Sequence, residues 1–292
     1  MYLTLTGRPF CNAGMYFDCL TLSNTTFIIP LRIESDDRLR NVIVSSIYLL
    51  DNTDCQIIVK ESDKTSVFAE NALPQIRECV GDKADRLTHV FEENQEEYFH
   101  RTRLLNDMVM MTSTDVVVNY DCDIILPLES YITSEEKIVS GECDVVYPYG
   151  DGDWQFQIFA TDELVSEFIN GDYDLSILRT KSRVYDAKYG FCQAFATKKY
   201  IQGGLENENF IAYGYEDDER YFRFHKLGYN VCRLDAHVYH MEHVRTNNSW
   251  FTNPFIQNNK NLHDTLMEFD KAQLQEYYEN QDYLKTRKAQ LK

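Results

Sequence analysis

Glycine and proline are scarce, at 12 and 6 residues of 292, so collagen-like repeats and low-complexity tracts are excluded. Cysteine is present but unclustered: Cys11, Cys19, Cys55, Cys79, Cys122, Cys143, Cys192 and Cys232 form no CxxC pair. That spacing supports no structural zinc site, and the eight read as buried, reduced thiols. No uninterrupted apolar run approaches the roughly 18 residues of a membrane span. The opening MYLTLTGRPFCNAG lacks a basic flank followed by a long apolar stretch, so neither export nor anchoring is expected and a cytoplasmic home is the default. The GxSxG elbow, the Walker loop, the GxGxxG fingerprint and the HExxH helix are all missing, which leaves serine-hydrolase, nucleotide-triphosphatase, dehydrogenase and zincin readings without an anchor. Positive charge is short as well. The 29 Lys and Arg residues face 47 Asp and Glu, a net −18, and a polyanion would approach against that field unless a local basic groove opposed it.

What is there is an ordinary globular composition, 43% hydrophobic and 26% charged, in a chain long enough for one large domain or two small ones. The run from Thr26 to Pro30 reads as a buried strand stopped by proline. From Asp37 to Leu50 apolar residues recur at helical spacing, with Asp36 and Asp37 at the positive end. Strands follow at Cys55 to Val59 and Leu87 to Phe91, a helix at Tyr98 to Met111, and a fourth strand at Asp115 to Tyr120. Alternation of strand and helix is the signature of an α/β fold. Residues 149–189 are less regular, with a helix expected from Asp162 to Ile169, and read as an insertion or lid. The pattern resumes with a strand at Phe191 to Ala196, a helix from Arg220 to Leu227 stopped by Gly228, a strand at Tyr229 to Leu234, and a charged helical tail from Leu262.

Three constellations could carry chemistry. Asp121-Cys122-Asp123 ends the fourth strand, at the sheet edge where open α/β proteins bind ligands. Mg²⁺ or Mn²⁺ takes one or two protein carboxylates plus substrate phosphates, which such a pair can offer, although an isolated Asp-x-Asp is more often a turn. Glu216-Asp217-Asp218-Glu219 precedes a helix, where four acids suit the dipole and need no other reason. Tyr213 and Tyr215 stand directly before them, and a ring for a pyranose face beside a carboxylate for its hydroxyls suits sugar recognition. His237, His240 and His243 fall within seven residues. A strict strand would put His237 and His243 on one face and His240 on the other, whereas a turn would bring His240 and His243 together.

These blocks, with FIIPLR at 27–32 and FHRTRLLN at 99–106, occur in an order that resembles the GT-A glycosyltransferases, in particular the β-1,4-galactosyltransferase group and the related chondroitin-polymerase-like transferases. The resemblance spans residues 26 to about 245. It implies an α/β, Rossmann-like fold with a mostly parallel central sheet and flanking helices: one domain over 1–257, interrupted by the 149–189 insertion, and a helical extension over 258–292. It further implies a metal-dependent hexosyl- or pentosyltransferase that uses a nucleotide-diphosphate sugar, a UDP-sugar in the first instance. On that pattern Pro30 and Arg32 lie near the nucleobase and ribose, Phe99 by the uracil, Arg101 by the diphosphate and Asp121 on the ribose side. Asp123 and His243 ligate Mn²⁺ (or Mg²⁺), with His240 where the galactosyltransferases carry methionine. Asp217 matches the catalytic base, Glu216 and Asp218 hold sugar hydroxyls, and Tyr213 replaces a tryptophan that closes over the sugars. The 149–189 segment would choose the acceptor.

The implied reaction is a single inverting displacement: Asp217 deprotonates the acceptor hydroxyl as it attacks the anomeric carbon, and metal and Arg101 balance charge on the leaving diphosphate. Retention on the same fold, or a non-catalytic carbohydrate-binding protein whose acids merely cap helices, are the alternatives. A sugar nucleotidylyltransferase is disfavoured because no Gly-rich triphosphate loop follows the first strand. The expected acceptor is a glycan or glycoconjugate. A nucleic acid acceptor would need the local patch Arg179, Lys181, Arg183 and Lys188 to override the global charge.

Overall fold

A computed structural model of the chain describes residues 20–290. Strand β1 (Thr25–Leu31) is buried along its whole length, as expected of a β-branched run covered on both faces. The strand does not stop at Pro30. Its pairing with β4 (Val116–Tyr120) ends at Ile28, while that with β2 (Gln56–Asp63) continues through Pro30, so the missing proline N–H is not called on at the β4 edge. Strand β3 (Leu87–Glu93) follows β2 in parallel.

Helix α1 (Asp36–Asn52) starts where Ser35 caps it by accepting from the Arg38 N–H, and its residues from Leu39 to Leu50 are buried. Next come α2 (Leu73–Val80), α3 (Arg101–Val109) and α4 (Leu128–Val139). Past β4 the chain forms the two-residue β5 (Ile124–Ile125) and then β6 (Val145–Tyr147). The 149–189 segment is more regular than its sequence suggests: it holds β7 (Gln155–Ile158), α5 (Asp162–Asn170), α6 (Leu175–Arg179) and β8 (Ser182–Val184). After it come β9 (Cys192–Ala196), α7 (Thr197–Gln202), α8 (Glu216–Leu227), β10 (Val231–Arg233) and β11 (Val238–Met241). Gly228, at φ 90°, ends α8 in the left-handed conformation that glycine adopts without penalty.

The main sheet has the order β10-β6-β9-β4-β1-β2-β3. It is parallel except at β9, which runs against both β4 and β6. A second sheet, β5-β11-β7-β8, stands beside it. The tail is three helices, α9 (Ile256–Glu268), α10 (Lys271–Glu279) and α11 (Asp282–Gln290). They are tied back to the body: the Tyr278 hydroxyl donates to Glu219, and Arg287 pairs with Asp107 at 2.7 Å. Among the described residues no helix is long and apolar enough to cross a membrane.

The cysteine reading needs correction. Cys143 and Cys232 are bonded to each other, with Cα atoms 6.1 Å apart, and the bond ties the edge strand β10 to the start of β6. Their closeness follows from the pairing of β6 with β10, which no local pattern reveals. Cys79, Cys122 and Cys192 remain thiols; Cys11 and Cys19 lie outside the described residues.

Candidate functional site

Strand β4 delivers Asp121, Cys122 and Asp123 at its carboxyl end, and the chain then leaves the main sheet. It enters the second one through β5, where Ile124 lies opposite His240 and Ile125 opposite Tyr239. The Met241 N–H donates to the Asp123 carbonyl at 2.7 Å. This register is what sets His240 beside Asp123, because a slip of one residue would turn the ring to the other face. Past Met241 the strand ends and His243 folds back to the same point, so the turn alternative for the histidines holds. His237 stays outside, its ring against Trp154 and Phe156.

The result is a compact group. His243 Nε2 lies 3.2 Å from Asp123 Oδ2, and His240 Nε2 lies 3.6 Å from Asp123 Oδ1. Asp123, His240 and His243 are the one set of three potential metal-ligand side chains found together among the described residues, their ligand atoms within 4.8 Å of one another. His243 Nδ1 bonds the Val244 carbonyl at 2.8 Å, which fixes the tautomer with its lone pair on Nε2. Burial pushes His240 down to about 4 against the pull of Asp123, so its ring is neutral near pH 7. Burial alone would raise Asp123, but His240, His243 and Arg38 outweigh it and hold the carboxyl below the usual range.

Across the cleft, α8 supplies the acids. Ala212 (φ 57°), Gly214 (φ 117°) and Tyr215 (φ 73°) turn the chain through left-handed backbone before the helix, a conformation that costs about 1–3 kcal/mol at each non-glycine position and tends to persist at functional sites. The Gly214 N–H donates to Glu216 Oε2 at 2.8 Å. Glu216 is pushed up to about 7, by burial first and then by the neighbouring Asp217 carboxylate. Arg101, at the start of α3, bonds Asp121 at 2.7 Å and reaches within 3.8 Å of Asp217. These two carboxylates outweigh burial and raise the guanidinium above its ordinary value. Burial in turn raises Asp121, with Arg101 opposing.

Pro30, Arg32, Phe99, Arg101, Asp121, Asp123, Tyr213, Glu216, Asp217, His240 and His243, picked out in the sequence, line one cleft. At its far end the Arg32 guanidinium lies 5.6 Å from the Phe99 ring centroid. Arg32 is anchored there by the Ser62, Glu96 and Glu97 carbonyls. Asp218 is the exception: it is not among the residues lining the cleft.

Sequence reading missed Arg38, Arg245 and Asn248, which also line the cleft. Arg38 Nη2 lies 3.1 Å from His243 Nδ1, and its Nη1 lies 4.0 Å from Asp123. One signal could have found it. An arginine in the first turn of α1 works against the helix dipole, and a locally unfavourable charge marks a residue kept for another purpose. Asn248 accepts from the Phe99 N–H at 2.7 Å and donates to Glu34 at 2.8 Å; nothing local in its sequence marks it.

Residues 183–245 match the family model described as the N-terminal domain of galactosyltransferase. That span includes the α8 acids and the three histidines. No curated protein matches the chain. Among solved structures, the GalNAc-T7 enzyme with UDP, GalNAc and Mn²⁺ aligns at TM-score 0.50 and 12% identity, over 79% of this chain and 44% of that one. The mannosyltransferase PcManGT from Pyrobaculum calidifontis, in complex with GDP-Man and Mn²⁺, aligns at TM-score 0.48 and 16% identity, over 76% and 57%. The catalytic domain of Drosophila beta1,4galactosyltransferase 7, in complex with xylobiose, aligns at TM-score 0.39 and 14% identity, over 73% and 64%. The chain thus spans about half the length of the first two. The GalNAc-T7 likeness shows the fold: an α/β architecture of the GT-A type, as the sequence blocks imply.

Proposed function

We propose that this chain is a metal-dependent glycosyltransferase that moves a sugar, hexose or pentose, from a nucleotide-diphosphate sugar to an acceptor hydroxyl with inversion. A UDP-sugar is the favoured donor and a glycan or glycoconjugate the favoured acceptor. One observation carries the reading: Asp123, His240 and His243 meet in the same cleft that Asp217 and Arg101 line.

A carboxylate oxygen and two neutral imidazoles suit Mn²⁺, and the buried Nδ1 of His240 has no hydrogen-bond partner that would commit the ring elsewhere. Asp123, His240 and His243 would hold the ion, which supplies charge neutralisation to a leaving diphosphate. The other tasks fall to the chain's own groups. Arg101, kept charged by Asp121 and Asp217, offers a fixed cation to the diphosphate. Phe99 and Arg32 bound the end where a nucleobase and ribose fit, with Pro30 and Asp121 on the same side. Tyr213, in the turn before α8, faces the donor sugar, and Glu216 offers a hydroxyl partner. Asp217 takes the acceptor's proton: its O–H bond breaks, the oxygen bonds the anomeric carbon from the far face, and the bond to the diphosphate breaks with its electron pair leaving on the diphosphate.

The test is hydrolysis or transfer with UDP-galactose, UDP-glucose, UDP-N-acetylgalactosamine and GDP-mannose, with Mn²⁺ present or chelated. Turnover that needs Mn²⁺ and is lost in Asp123→Ala supports the reading; turnover that survives both chelation and Asp123→Ala rejects it. The anomeric configuration of the product, read by NMR, decides inversion against retention.

A further inference from the structure

Behind Asp217 lies a charge pair that the reaction scheme above does not use. Arg220 is fully buried, and its Nη1 donates to Glu206 Oε2 at 2.8 Å while its Nη2 donates to Asp217 Oδ1. Glu206, 1% exposed, accepts through its other oxygen from the Tyr200 hydroxyl and from Asn119 at 3.2 Å. A buried charge without a partner is costly, and breaking such a pair from one side typically destabilises strongly. The Glu206–Arg220 pair is close to neutral as a unit, so the helix can present a guanidinium edge to Asp217 without the field of a free cation.

The two oxygens of Asp217 are therefore unlike. Oδ1 is held by Arg220, with Arg101 at 3.8 Å. Oδ2 faces Gly190: a Cβ built there would lie 3.3 Å from Oδ2 and meet no other heavy atom within 4 Å. The missing side chain leaves open space at that one oxygen.

We propose that Glu206 and Arg220 are a positioning pair for Asp217, in which Arg220, neutralised from behind by Glu206, holds Oδ1 and leaves Oδ2 to receive the acceptor's proton. The proposal rests on the reading of Asp217 as the base. It assigns Glu206 an effect on the basicity of a group it does not touch, by setting how much of the Arg220 charge Asp217 feels. Other groups face Asp217 as well. Arg101 does so from α3, Asp121 from the end of β4, and Tyr147 and Tyr149 from β6 and the loop after it. Tyr213 faces it from the loop before α8, and Glu216 and Asp218 from α8 itself. None of these is itself substituted when only the pair is altered.

The test is the titration of the Asp217 carboxyl, followed by carbon-13 NMR on the full chain labelled at aspartate, with the resonance assigned by its loss in Asp217→Asn and no metal or nucleotide added. In Glu206→Gln the uncompensated Arg220 charge should move the Asp217 midpoint about one pH unit lower, the size expected of a bare cation at contact. In Glu206→Gln with Arg220→Met the cation is gone and the midpoint should move higher by about as much. The double variant removes both charges together, so it retains a fold if the single one does not. Opposite displacements are the expected result, and a merely structural pair would not produce them. An Asp217 midpoint that stays at the wild-type value in the folded variants overturns the proposal. Separately, Mn²⁺-dependent turnover of the UDP-sugar that is intact in Asp217→Asn overturns the proton-acceptor role and the base assignment with it, whatever the titration shows.

Discussion

Asp123 and His243 bring a carboxylate oxygen and an imidazole nitrogen to 3.2 Å although 120 positions separate them along the chain. The contact depends on a two-residue strand, β5, that leaves the main sheet and pairs with β11. A cation held by these two residues, with His240 as the third ligand, would draw on the lone pairs of three buried side chains.

Metal binding is the first expectation of the proposed function. Mn²⁺ at 100 times its dissociation constant should stabilise the protein by about 2.7 kcal/mol, read as a rise in melting temperature that EDTA reverses. Asp123→Asn and His243→Ala should each weaken the ion by about 100-fold or more, measured by calorimetry. His240→Met, which puts the galactosyltransferases' residue at that position, should weaken Mn²⁺ but keep the fold.

Glu216 sets a pH dependence of stability. Its carboxyl is raised from 4.5 to about 7 by burial and Asp217, so between those values the folded protein keeps a proton that the unfolded chain has lost. Stability must then fall as pH rises through that window. The size is about 3 kcal/mol at most. Urea unfolding from pH 5 to 8 should show wild type losing this stability relative to Glu216→Gln, whose curve lacks the term. Parallel curves would contradict the assignment.

Gly190→Ala tests the space beside Asp217. The added methyl would stand 3.3 Å from Asp217 Oδ2, and no positive φ is required of Gly190. Transfer to a sugar acceptor should drop at least about tenfold, since a misplacement of about 1 Å can cost far more. Hydrolysis of the donor, which needs only a water there, should suffer less, and the melting temperature should stay near wild type. The ratio of transfer to hydrolysis is the measurement.

The Cys143–Cys232 bond closes a loop with a sequence separation of 89. Cys143→Ser with Cys232→Ser should cost about 2–4 kcal/mol by freeing the unfolded chain, read from denaturant midpoints with and without reductant. Turnover at 25 °C should persist, because neither sulfur lies at the cleft.

Much of this protein was legible as one-dimensional pattern. The buried run at β1, the capped periodic helix α1, the acids of the first turn of α8 and the Gly228 stop are local: each depends on neighbours a few positions away, and the backbone responds to them directly. The tail, a charged helical run from Leu262 on its sequence, is three helices beginning at Ile256; the second starts at the Asp270 to Gln273 capping box, a local signal that the amphipathic pattern passes over.

Local pattern could name Asp123, Asp217 and the histidines as ligand-type residues, but it could not say which histidine joins the carboxylate. The β5–β11 register made that choice, together with the end of the strand at Met241. The same holds for Cys143 with Cys232 and for Arg38 against His243. Each pairs groups far apart along the chain, and such contacts form only when the sheet order brings their elements together. A residue's own surroundings in sequence carry its propensity; its partner across the fold is set by packing, which no short window contains.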